Sequence, residues 1–117
     1  MRLRIDVDAV QVTAGDTVRG DVVVTEGGPA RAVRAHLELV ERVDKRTRAG
    51  RVESATRIGD GPLIAGELRH LELRLPPDAQ PDLETSVGSL HWDLVVSVDR
   101  PMRPDLVERV SLVVERS

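Results

Sequence analysis

The strongest constraint on this chain is a two-residue period in its hydrophobicity, repeated in segment after segment. Leu3, Ile5 and Val7 alternate with Arg4, Asp6 and Asp8. Val18, Gly20, Val22 and Val24 alternate with Thr17, Arg19, Asp21 and Val23. Val33, Ala35, Leu37 and Leu39 alternate with Arg34, His36, Glu38 and Val40. Leu71, Leu73 and Leu75 repeat the pattern, and Val110, Leu112 and Val114 close it. The strongest run is Leu90, Trp92, Leu94, Val96 and Val98, interleaved with His91, Asp93, Val95 and Ser97. Successive side chains of a strand point to opposite faces, so each run reads as a strand with one face in a core. A helical reading is poor. The stretch richest in helix formers, 30–43, also keeps the two-residue period, and the abundant valines favour strands.

Turn signals separate the runs: Ala14-Gly15-Asp16, Gly27-Gly28-Pro29, Gly59-Asp60-Gly61-Pro62 and Pro76-Pro77. The polar stretch 41–51 is predicted as two strand ends around a turn near Ala49-Gly50, followed by a weaker strand over 52–58. About seven strands at intervals of roughly 8–14 residues predict an all-β, immunoglobulin-like antiparallel sandwich. The 117 residues are enough for a single domain, 1–117, with one core. Phe and Tyr are absent, so Trp92 is the only aromatic. It is predicted between the sheets, where its indole N–H needs an acceptor. Gly20 inside a strand marks a bulge or a close backbone approach.

Composition excludes several functions. Lys and Arg number 17 against 20 Asp and Glu, a formal net charge of −3, which argues against a nucleic-acid binder. One aromatic residue cannot build a base-stacking platform. Cysteine is absent, which removes disulfides, thiolate metal sites and a cysteine nucleophile. No apolar run is long enough for a secretion signal or a membrane span, so the expectation is no integral membrane segment and a cytoplasmic location. No serine sits in a G-x-S-x-G elbow, and Gly59-Asp60-Gly61-Pro62 lacks the lysine of a phosphate loop. The chain is therefore expected to be no enzyme and to need no cofactor.

Three features remain as candidates. His91 and Asp93 share one strand face and could supply two metal ligands, but a metal-dependent enzyme needs another histidine to converge on them. The simpler reading is a solvent-facing strand. Arg42, Lys45, Arg46, Arg48 and Arg51 form a basic cluster that could take phosphate or an acidic protein partner, with Glu41, Asp44 and Glu53 neutralising part of it. Arg19-Gly20-Asp21 spells an adhesion tripeptide, yet it falls inside a predicted strand.

Four segments carry a family resemblance. The run from Val10-Gln11-Val12-Thr13-Ala14-Gly15-Asp16 to Val18-Arg19-Gly20-Asp21-Val22-Val23-Val24 resembles the "P-G-D/E-x-V-x-G-x-V-x-V" opening of arrestin-like domains, with Ala14 in place of the usual proline. Val33-Arg34-Ala35-His36-Leu37-Glu38-Leu39 resembles the next family strand. Leu73-Arg74-Leu75-Pro76-Pro77-Asp78-Ala79-Gln80-Pro81 resembles the "F-x-L-P-x-D-A-P-P-S" turn, and Ser89-Leu90-His91-Trp92-Asp93-Leu94 the "S-x-x-W-x-L" strand. The set resembles eukaryotic arrestins, the arrestin-like retromer subunit and bacterial sporulation-control proteins.

The resemblance implies a non-catalytic adaptor or regulatory module that binds proteins through strand edges and loops. Those relatives carry two lobes in tandem, whereas this chain has length for one. A homodimer would rebuild a two-lobe arrangement, and the segments 18–24 and 106–114, apolar in both phases, are the strands to watch. The alternative is a structural immunoglobulin-like accessory domain.

Overall fold

The structure, a computed structural model, describes residues 1–116, except the side chain of Ala49. Nine strands follow one another: β1 (Arg2–Val7), β2 (Gln11–Thr13), β3 (Thr17–Glu26), β4 (Ala32–Val43), β5 (Arg46–Asp60), β6 (Leu68–Arg74), β7 (Leu83–Glu84), β8 (Gly88–Asp99) and β9 (Leu106–Glu115). The predicted all-β sandwich is what forms. The count exceeds the expected seven because β2 and β7, of three and two residues, are too short to show a period.

One sheet holds three strands in the order β1-β3-β6. The other runs β2-β9-β8-β4-β5, with β7 on the β8 edge beyond the end of β9. The central pair is β4 and β8, antiparallel from Ala32↔Asp99 to Val43↔Gly88. Every other residue of each faces inward. Val33, Ala35 and Leu37 meet Val98, Val96 and Leu94 across the rungs, and all six are fully buried. Opposite them lie Val18, Val22 and Val24 of β3 with Leu71 and Leu73 of β6, also buried. The alternation thus becomes a dry layer between two sheets.

Trp92 is fully buried, and its indole N–H donates to the Gln80 carbonyl at 3.0 Å. That bond draws the loop after β6 over the end of the core. The turn before β3 is fastened to the same loop. Gly15 has φ +88°, the Asp16 carboxylate accepts from the Thr13 backbone N–H at 2.9 Å, and the Leu75 N–H donates to the Asp16 carbonyl at 2.8 Å. Gly20 marks a close approach: a Cβ there would run into the Asp6 carbonyl oxygen of β1. Arg19-Gly20-Asp21 is tied into ladders on both sides, to β1 and to β6.

One expectation is corrected. The turn of the polar stretch lies at Asp44-Lys45, not at Ala49-Gly50, and Arg46 pairs directly with Val43. Asp44 takes φ +57°, a conformation that Asp accepts more readily than most residues, so a two-residue turn closes before the glycine is reached. Consequently β5 is long, from Arg46 to Asp60, and its pairing with β4 shifts register at three places.

Two outcomes follow for stability. Trp92→Ala should destabilise the fold by about 3–5 kcal/mol in chemical denaturation, as truncation of a large core residue does. Gly20→Ala should destabilise it despite its small size, because the new methyl displaces backbone of β1; unchanged stability would show that β1 and β3 can separate freely.

Candidate functional site

Beyond Leu39 the inner face of β4 continues as Glu41 and Val43, past the reach of the three-stranded sheet. Their cross-strand partners Arg48 and Arg46 share that face. The result is an overhanging hairpin with an open trough of about 550 Å³, lined by Glu41, Val43, Asp44, Arg46, Thr47 and Arg48. Val43 is 47% exposed, and Leu83 and Val87 of the neighbouring β7–β8 turn region are 47% and 67% exposed. Val43, Leu83 and Val87 together line a second, smaller depression against the hairpin.

The five predicted basic residues do not act as one group. Arg42, Lys45, Arg46 and Arg48 make no ion pair among the described residues. Arg46 and Arg48 share the trough, while Arg42 pairs with Thr47 on the opposite face. Arg51 is engaged elsewhere: it binds Glu53 at 2.6 Å and Asp78 at 2.9 Å, and the Asp78 hydrogen bond, then that of Glu53, raises its pKa further.

A second cluster occupies the outer face of the large sheet. His91 and Asp93 do share a face, as their spacing predicts, with Nε2 3.1 Å from Asp93 Oδ1. The face is not simply solvated. Asp93 is the rung partner of Glu38, and both side chains are only 8% exposed. Arg109 of β9 crosses β8 to reach both, donating from Nη1 to Glu38 and to Asp93 Oδ2 at 3.4 Å. Val95, the rung partner of Arg109, lies beneath that path and is 2% exposed. Ser111 donates to Asp93 Oδ1 at 3.1 Å, and His36 Nε2 stands 3.7 Å from Glu38 Oε1. Glu38 and Asp93, foremost Glu38, raise the Arg109 pKa and keep it charged.

The arrangement is a His-x-acid pair on each of two antiparallel strands, sharing one guanidinium. The guanidinium takes the position between the carboxylates that a metal ion would need. Among the described residues no three His, Asp or Glu side chains gather as metal ligands. His70 is far away on the other sheet, beside Asp21 and Glu72. Sequence reading missed Glu38, Arg109 and Ser111. The repeated His36-x-Glu38 and His91-x-Asp93 spacing was visible, but not the register that sets the two acids side by side.

The class that this architecture defines is the arrestin-like β-sandwich lobe. No family model matches the chain, and no curated protein matches it. Among solved structures it is similar to the sporulation control protein Spo0M of Bacillus subtilis, with a TM-score of 0.71 and 20% sequence identity. The likeness covers 97% of this chain and 49% of that one, so the chain spans about half the length of its structural neighbour. At that identity the likeness establishes the fold. No helix of the structure is long and apolar enough to cross a membrane.

Two measurements check these assignments. Arg109→Met leaves two nearly buried carboxylates facing each other, and should cost about 2 kcal/mol at neutral pH. That is below the 3–5 typical of a fully buried pair, because Arg109 is half exposed. Glu38→Gln added to it should recover part of the loss. Separately, Glu72 above all, then Asp21, raises the His70 pKa over the ordinary imidazole value. The sign follows: this stabilising contribution is fully present below the ordinary value and is lost as pH rises through the elevated one. An NMR titration should place the His70 midpoint above that of an unfolded control, and Glu72→Gln should lower it.

Proposed function

We propose that this chain is a non-catalytic, arrestin-like protein-interaction module of regulatory or adaptor type, working in the cytoplasm. The observation that carries this reading is the overhanging hairpin: Arg46 and Arg48, free of ion pairs among the described residues, stand beside Val43, which the second sheet leaves uncovered. A trough of that chemistry suits an extended acidic segment bearing an apolar side chain. Guanidinium groups bind carboxylates through paired N–H donors, and apolar contact adds orientation-insensitive affinity. The free side of β5 along the hairpin adds unpaired backbone groups for a partner strand. The neighbour of like fold is a sporulation control protein, which supports a regulatory role of some kind rather than a metabolic one. Self-association into a homodimer belongs to the same proposal, because the outer face of the large sheet leaves Val52, Val107 and Val113 exposed.

The test uses a fluorescent peptide of Glu and Asp residues around a central Leu. Binding should weaken as salt rises, since charges beyond about 8–10 Å are screened at physiological ionic strength. Arg46→Ala with Arg48→Ala should weaken it by about tenfold or more, with Tm nearly unchanged. Undiminished binding by the double variant assigns the hairpin to solvent. Arg51→Ala, in contrast, should disturb the Glu53 and Asp78 contacts more than the peptide.

A further inference from the structure

The outer face of the large sheet combines a buried centre with open apolar flanks. Its centre is dry: Val40 is 5% exposed, Val95 2%, and Glu38 and Asp93 6% each, though among the described residues no third layer covers them. Its flanks are valines left open on the same face, Val52 beside Glu38 on β5 and Val107 and Val113 on β9, at 52%, 47% and 41% exposure. A water-facing sheet gains little from burying two carboxylates against one guanidinium, because desolvation offsets most of the attraction and apolar replacements often do as well. Such networks are better at selecting a partner than at stabilising a fold.

We infer that this face packs against the same face of a second copy of the chain, about a two-fold axis near the Glu38–Asp93 rung. The inference rests on the self-association part of the preceding proposal and names its surface. Charge is the first reason for a second copy. A two-fold contact must be complementary to itself, and this patch carries both signs within one cluster. Half of the Arg109 side chain stays exposed, and its Nε and Nη2 make no hydrogen bond among the described residues. Around it lies an open depression of about 340 Å³ lined by Glu38, Val40, Thr47, His91, Asp93 and Arg109. Each copy thus offers an under-used guanidinium and a carboxylate-lined hollow, and a half-turn places each over the other.

Area is the second reason. Four strands about 4.8 Å apart, over about nine residues at 3.3 Å each, present roughly 500–600 Å² per copy. A pair therefore buries about 1,000 Å² or somewhat more, which is the lower bound for a stable interface. The open valines supply its apolar part, and face-to-face packing of sheets is a common geometry. The basic hairpin stays free in this dimer, since its trough is on the opposite face of the same sheet.

Sedimentation velocity of the full chain from micromolar to a few hundred micromolar should show a species of twice 12.8 kDa. Val107→Arg and Val113→Arg, at positions already exposed, should keep the circular dichroism spectrum and weaken the dimer at least about tenfold. Arg46→Glu in the hairpin should leave it unchanged. Because the chain has no cysteine, a single Ser111→Cys label reports proximity directly. Spin labels there should lie close to each other in the dimer, and labels at an Asp6→Cys position on the other sheet far apart. A monomer throughout the concentration range overturns both this inference and the self-association reading. A dimer that ignores Val107→Arg and Val113→Arg, with distant Ser111 labels, overturns the surface while leaving self-association standing.

Discussion

Everything in this molecule depends on one dry layer, the contact between the inner face of the β4–β8 pair and the three-stranded sheet. It is almost wholly aliphatic, with Trp92 as its single large anchor. Val, Leu and Ala pack without directional demands, so the layer tolerates any register that keeps the period. Trp92 removes that freedom. Its indole N–H must find an acceptor in a dry site, and the acceptor, Gln80 O, lies in the loop after β6. The same loop receives the Asp16 turn before β3. One buried hydrogen bond thus couples both sheets and the connection between them.

The two sheets are unequal, and both candidate surfaces arise from that inequality. Three strands cannot cover six, so the inner face of the large sheet runs out from under its partner as a basic, partly apolar hairpin. The outer face has no covering layer among the described residues. There the structure places a network of both signs across β4, β8 and β9, where exposed polar residues would have cost less. The long edge strand β5 is handled differently. Its pairing with β4 shifts register between Val33 and Arg34, Ala35 and Leu37, and Glu38 and Val40, and Ser54 takes φ +55°. Ser54 also donates to the Arg74 carbonyl, tying that part of β5 toward β6. Such irregularities blunt an edge that would otherwise recruit strands indiscriminately, and they leave the hairpin end as its open part.

The two surfaces differ in what they ask of a partner. The trough offers two guanidinium groups that make no ion pair among the described residues, with Glu41 and Asp44 at its wall and an uncovered valine, which suits an acidic, extended chain. The outer face offers balanced charge ringed by valine, which is a demand for a copy of itself. Because they lie on opposite faces of one sheet, occupying either leaves the other open. A dimeric lobe with two outward troughs is the assembly that the two proposals together describe.

The amino-acid order alone determined the strands and which side of each faces the core, because a strand's alternation is a local property. Val18, Val22 and Val24, Leu71 and Leu73, and Trp92 with Leu94, Val96 and Val98 are buried as their phase requires. The arrestin-like resemblance was legible too, since its turns are set by local chemistry at Gly15-Asp16 and Pro76-Pro77. The hairpin turn was misplaced because Ala49-Gly50 is a stronger signal in composition than Asp44-Lys45, and only the pairing of Arg46 with Val43 decides between them. The sharing of Arg109 by Glu38 and Asp93 was out of reach for a deeper reason. Those residues are 71 and 16 positions apart from it, and what joins them is the order β9-β8-β4 and its register. A period of two says which face a side chain takes; only the assembled sheet says which neighbour it meets there.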